Sequence, residues 1–260
     1  MSLVKDRKRI EKEKLTEARG HLVVKCNDLI QKSRHQMDLQ EQKIILYMIS
    51  RIKPNDKDFS GQVFSIAEFC RVCGLDDDNG GNYAYIKKTL SNLKNRWIWV
   101  TLDDGSEKTL GWVNTITMSR RSGFVKVEFD EGMKPYLLEL KGKFTQYELV
   151  YTLAMRSQYS IRLYELLKSY QYKKQVTFDI DDLKRTLFAE VYTRGNDIKI
   201  RVLEPAINEI NKLTDILVTY ELFKDGKRFS EVGFRITQKN IGERLSAWSE
   251  INTIFDTPTA

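Results

Sequence analysis

The chain has 260 residues, 41% hydrophobic and 30% charged, a globular composition long enough to bury one or two cores without disulfide staples. Its formal net charge of +7 suits a polyanionic partner but decides nothing alone. No apolar run approaches the roughly 20 residues of a membrane span, the charged N-terminus shows no apolar signal core, and the odd count of 3 Cys reads as reduced and intracellular.

Residues 1–19 mix Lys5, Arg7, Lys8, Arg9, Lys12, Lys14 and Arg19 with acids and have almost no apolar face. They are expected to form a flexible basic tail, or a solvated helix that orders on DNA. Asp38 and Glu41 have capping-box spacing and open a helix carrying Ile44, Ile45, Met48, Ile49 and Ile52, which Pro54-Asn55 ends. Val63-Phe64 is a short strand. Ser65 with Glu68 caps a second helix, with Ile66, Phe69 and Cys70 inward and Gly74 at its end. Asp76 to Gly81 is a loop. Asn82 caps a third helix with Ile86, Leu90 and Leu93 inside and Lys87, Lys88, Lys94, Asn95 and Arg96 on its other faces. Strands follow at Trp97 to Leu102, Thr109 to Met118 and Phe124 to Phe129, with turns at Asp104-Gly105 and Ser122-Gly123. A helix over Met133 to Leu140, with Pro135 in its first turn, leads to another capping box, Thr145 with Glu148, opening a helix through Met155.

The second half repeats this order. Tyr159 to Tyr170 is a helix, Val176 to Phe178 a strand, and Asp179 caps a helix carrying Ile180, Leu183 and Leu187. A long helix covers Asn196 to Leu213, and strands Ile216 to Phe223 and Phe229 to Ile236 flank an Asp225-Gly226 turn. The Asp-Gly turns at 104–105 and 225–226 hold matching places. Three helices and a hairpin are the order of a winged helix, whose third helix enters the major groove while the hairpin, or wing, lies on adjacent backbone. The reading is an α+β chain of two tandem winged-helix domains related by internal duplication. It divides into a tail (1–19), a first domain (20–144), a second domain (145–240) and a C-terminal helix and tail (241–260). In that last segment Ile241, Leu245 and Trp248 are expected to pack onto the body. Trp97, Trp99 and Trp112 are expected in a core or an interface.

Catalytic patterns are missing from the sequence. It has no GxxxxGK[ST] phosphate loop, no G-x-S-x-G elbow and no HExxH helix. His21 and His35 are 14 residues apart, without the His-x-His cluster of a metal-dependent strand-nicking enzyme. Cys70-x-x-Cys73 is half a zinc site at most, and Cys70 joins an apolar helix face. Asp76 to Gly81 fails as a calcium loop because Lys87 falls where a bidentate Glu is required. No catalytic residue, metal or cofactor is expected.

The best binding constellation is Arg194, Asn196, Lys199 and Arg201 at the start of the second long helix, with Ile200, Leu203, Ile207 and Ile210 as its packing stripe. Arg can donate twice to guanine and Asn can pair with adenine, while Lys and Arg also neutralise phosphate. Lys224, Lys227 and Arg228 sit on the wing. Pro205 should kink the helix or mark its true start. The first half offers Tyr83, Lys87, Lys88, Lys94 and Arg96, with Arg120 and Arg121 by its hairpin, suited to backbone contact or to a plain solvated surface.

The stretch Val202-Leu203-Glu204-Pro205-Ala206-Ile207-Asn208-Glu209-Ile210-Asn211, followed by Thr214-Asp215 and Val218-Thr219-Tyr220-Glu221, resembles the second winged helix of the iteron-binding plasmid replication initiators of theta-replicating plasmids. Tyr159 to Leu167, Leu39 to Ile52 and Leu110-Gly111-Trp112 are similar to the same family. The resemblance implies two winged-helix domains, monomers on directly repeated iterons in double-stranded origin DNA, and a second domain making most base contacts. It implies a first domain that adds contacts and forms a dimer interface, and dimers that bind an operator inverted repeat and repress their own gene. It also implies opening of an AT-rich segment and recruitment of the host replication initiator and replicative helicase in the bacterial cytoplasm. Two alternatives stay open: a dimeric regulator that never opens DNA, and a strand-transfer enzyme using a Tyr.

Overall fold

A computed structural model describes residues 13–53, 56–59, 61–74, 81–138, 140 and 142–256, without the side chains of 81 and 82. The tail up to residue 12, the Pro54-Asn55 stop, most of the acidic loop and the Asn82 side chain expected as a cap lie outside what is described.

The first half begins with β1 (Leu22–Cys26), α1 (Asn27–Gln31), β2 (Ser33–His35) and α2 (Leu39–Ile49). Asp38 accepts from the Gln40 and Glu41 amides, and Glu41 accepts from the Asp38 amide, so both halves of the capping box form. Every residue of α2 from Glu41 to Ile49 is buried, which makes it a central core helix rather than a surface one. Next come β3 (Gln62–Ser65), α3 (Ile66–Cys73), capped by Ser65 and ended by Gly74 at φ +69°, and α4 (Gly81–Lys94).

Then β4 (Trp97–Thr101), β5 (Glu107–Gly111), β6 (Val113–Ser119) and β7 (Phe124–Phe129) follow. The strand expected over Thr109 to Met118 breaks at Trp112, whose indole is buried edge-on to His35 at 5.3 Å. Its two halves join different sheets, β2-β4-β5 and β3-β7-β6. This corrects one expectation: Asp104-Gly105 turns the extra β4–β5 hairpin, and the wing turn of this domain is at Ser122-Gly123, with Gly123 at φ +68°. Trp97 and Trp99 are outside the core, 61% and 43% exposed on β4.

A 3-10 turn (Glu131–Met133) and α5 (Lys134–Leu137) replace the longer helix expected there. A second correction follows. Thr145 caps nothing; it lies in β8 (Phe144–Glu148), which pairs antiparallel with β1 along five positions from Leu22↔Glu148 to Cys26↔Phe144. Thr145 Oγ1 donates to Asn27 Oδ1 at 2.7 Å. The helix begins only at α6 (Leu149–Leu153).

The second winged helix comprises α7 (Gln158–Ser169), β9 (Gln175–Asp179), α8 (Ile180–Leu187), α9 (Gly195–Ile198), α10 (Glu204–Leu213), β10 (Ile216–Asp225) and β11 (Arg228–Gln238). Asp179 caps α8 through the amides of Asp181 and Asp182. The sheet order β9-β11-β10 repeats β3-β7-β6: in each, the strand before the second helix pairs with the far strand of the hairpin.

α7 also joins the two halves. Glu165 on α7 takes Lys25 Nζ of β1 at 2.6 Å and Tyr147 Oη of β8 at 2.5 Å, with Arg162 at 3.7 Å; Arg162 donates to Ser33 O at 3.2 Å. All four side chains are buried. His35 is buried beside them; burial first, then Arg162 and Lys25, hold its pKa well below the ordinary value. Finally α11 (Ile241–Asp256) packs by Ala247 and Ile251, flanked by half-buried Trp248, Ile254 and Phe255. The expected stripe is corrected: Ile241 and Leu245 are 70% and 65% exposed.

Candidate nucleic-acid interface

The second domain presents its basic residues from two touching elements. Arg194 precedes α9 with extended backbone, and Gly195 opens it. A Cβ on Gly195 would lie 2.7 Å from Phe229 Cδ2, so the helix start rests directly on the wing beside its turn, where Phe229 pairs with Lys224. Lys224 Nζ stands 5.2 Å over the same Phe229 ring. Arg194, Asn196, Lys224, Lys227 and Arg228 are all exposed.

Lys199 and Arg201 lie in a π-helical turn (Lys199–Leu203) between α9 and α10. Pro205, in the first turn of α10, has no amide to donate and its ring crowds the preceding turn. The Glu204 amide reaches back to Lys199 O instead. One extra residue in that turn rotates the helix start. Ile200, expected inside, is therefore 52% exposed, and Ile198 and Val202 fill the core position. Lys199 is 3.6 Å from Glu204 and Arg201 is 4.0 Å from Asp197. Exposed pairs at such distances contribute little, so both cations can exchange their partner for a phosphate or a base edge.

The first domain repeats the arrangement more sparsely. Arg120, at its wing, stands 5.9 Å over the Tyr83 ring at the start of α4. Lys87, Lys88, Lys94 and Arg121 are exposed. Arg96 is held differently: its Nε bonds both carboxylate oxygens of fully buried Glu41, at 3.1 and 3.0 Å, tying the end of α4 to α2. Cys70 and Cys73 are buried on α3, and burial pushes the Cys73 thiol up to about 12, far from a neutral-pH nucleophile. Among the described residues no three His, Cys, Asp or Glu gather to hold a metal, and no helix is long and apolar enough to cross a membrane.

Sequence profiles match both halves: "Initiator Replication protein, WH1" over residues 22–168 and "Initiator Rep protein, WH2" over residues 179–236. The chain belongs to the initiator replication protein family. Two Escherichia coli relatives fit this membership. The "PI protein" is 31% identical over 147 residues, 49% of this chain and 48% of its own length. A "Replication initiation protein" is 26% identical over 207 residues, 75% of this chain and 63% of its own. This initiator-family chain thus spans about half and somewhat under two thirds of these relatives. Its fold is that of a solved Pi initiator protein, described as in complex with iteron DNA, with a TM-score of 0.69 at 22% identity over 85% of this chain and 99% of that one.

One basic surface of this family member has no signature in its sequence. A cleft of about 1390 Å³ is lined by Lys143, Lys168, Lys173, Lys174 and Arg235, with no carboxylate among its lining residues. It lies at the end of β11 away from the wing turn. Its cations come from four separate stretches, so no run or spacing announces it.

Proposed function

We propose that this protein is a plasmid replication initiator that binds directly repeated iterons in its origin. The second domain (145–240) reads bases with Arg194, Asn196, Lys199 and Arg201, and its wing holds backbone with Lys224, Lys227 and Arg228. The first domain (20–144) adds phosphate contacts through Lys87, Lys88, Lys94, Arg120 and Arg121, with Arg96 at the edge of that face. The observation that carries this reading is the direct seating of the Gly195 helix start on the Phe229 wing, which gathers exposed cations from two elements onto one face. Family membership and the iteron complex of the Pi initiator support the choice of DNA.

A dimer formed through the first domain binds an operator inverted repeat and represses the gene. Trp97 and Trp99, exposed on the β2-β4-β5 sheet, support that face as the contact. The protein acts in the bacterial cytoplasm, where bound origin DNA opens and the host initiator and helicase assemble. The test is maintenance of a plasmid carrying only the DNA that flanks the gene. It should replicate when the protein is supplied in trans and fail with Arg201→Ala. Binding without plasmid maintenance would make the protein a regulator that does not initiate.

A further inference from the structure

Arg19, which precedes β1, and Phe255, near the end of α11, meet at the C-terminal end of α3. Arg19 closes a helical segment at 13–19. It donates from Nε to Val72 O and from Nη2 to Arg71 O, each at 2.9 Å. Carbonyls at a helix C-terminus lack intrahelical partners and carry partial negative charge, so a guanidinium suits them. The Arg19 Cζ also lies 3.7 Å from the centroid of the Phe255 ring, near the end of α11. Phe255 covers Gly74 so closely that a Cβ there would sit 2.5 Å from Cδ1 of the ring. Gly74 is also at φ +69°, with its amide bonded to the carbonyls of Arg71 and Cys70.

α11 reaches this point from the other domain. It follows β11, the last strand of the second wing, and is tied to α10 by Lys212–Glu250 at 2.9 Å. Trp248 Nε1 donates to Glu148 Oε2 at 3.0 Å, where β8 meets α6. A 16-residue helix is about 24 Å long, enough to carry the position of the second domain to α3 of the first.

We propose that Arg19 and Phe255 are positioning residues for DNA binding. Acting through Gly74 and the end of α3, they hold α4 at a set place relative to the second domain, so that both recognition helices meet one site in register. The proposal rests on the reading of α4 as a DNA-contacting helix. Two linked modules gain affinity only when their geometry lets both engage. A loosened clasp therefore removes the first domain's share of binding and leaves the second domain's share intact.

The experiment uses the full chain and duplex DNA flanking its gene. A Lys87→Ala/Lys88→Ala variant is footprinted first, to find which end of the protected site depends on α4. Affinities are then measured for the full site and for a duplex trimmed from that end. Arg19→Ala and Phe255→Ala should each lose at least about tenfold on the full site, keep wild-type affinity on the trimmed duplex, and lose protection at the same end. Phe255→Tyr, which keeps the ring, should restore both. Retained affinity on the trimmed duplex also shows that a variant is folded. Equal loss on both duplexes would mean a merely structural role and overturn the proposal. Full-site affinity lost by the lysine variant but kept by Arg19→Ala and Phe255→Ala would overturn it while the reading of α4 stands. No loss in the lysine variant would overturn both.

Discussion

Replacing Glu165 by Gln removes the negative charge that Lys25 and Arg162 share where α7 meets β1 and β8. The geometry sets the expected size. Lys25 Nζ is 2.6 Å from the carboxylate, and both side chains are almost wholly buried. Removing one partner of a buried ion pair costs about 3–5 kcal/mol, because the other charge stays desolvated. Lys25 has an escape, since it can give up its proton. From an ordinary lysine pKa of about 10.4, that costs about 5 kcal/mol at pH 7. The escape caps the loss without lowering it much. Domains are stable by only about 5–15 kcal/mol, so the variant should lose about 3–5 kcal/mol and unfold well below the wild-type urea midpoint. Equilibrium urea titrations followed by far-UV circular dichroism measure this directly. Adding Lys25→Met should recover part of the loss, because no lysine charge is then left buried. A single-variant loss under about 1 kcal/mol, in the range of an exposed pair, would mean that this cluster does not carry the junction.

Three further outcomes are expected. Arg201→Ala should weaken site binding by about 1–3 kcal/mol, yet leave thermal stability nearly unchanged because the Asp197 pair is long and exposed; an unchanged footprint and affinity would contradict the base reading proposed for it. His35 is held neutral by burial, whereas the unfolded chain takes up that proton below about pH 6.5. The stability it contributes is therefore present above about pH 6.5 and declines by about 1.4 kcal/mol per unit as the pH falls toward the depressed folded value. Urea midpoints at stepped pH should show a shallower decline in His35→Gln, and an identical decline would exclude His35 as its source. With a thiol reagent near pH 8, half-buried Cys26 should react before buried Cys70 and Cys73; rapid labelling of Cys73 in the folded protein would contradict its placement in the core.

The parts of the fold that were legible in the sequence are those fixed by neighbours along the chain. The caps at Asp38, Ser65 and Asp179 and the positive φ at Gly74 and Gly226 each need only a few adjacent residues. The order of helices and hairpins followed from them. The features that escaped depend on distant partners. β8 reads as a strand only once β1 lies beside it, and the Thr145–Asn27 bond spans 118 residues. Arg96 looks like a free basic residue until Glu41 is brought under it across 55 residues. On α11 Ile241 and Leu245 face outward although they are as apolar as anything the helix buries. Small Ala247 and Ile251 are the ones buried, and which face turns inward is set by the bodies it bridges. At the site, the residue types were legible but the register was not. Pro205 signalled a disturbance, and the π turn it provokes moved Ile200 outward.

On the proposed function, the face built by α9, the π turn and the second wing recognises repeated DNA sites. Footprinting the purified protein on the DNA flanking its gene at two salt concentrations decides this. A regular ladder of direct repeats is expected, one protected patch per repeat, with log K falling against log salt by about 0.9 for each phosphate contacted. A single inverted repeat alone would contradict the initiator reading, and no protection at either salt would mean that the face beginning at Arg194 is only a solvated surface.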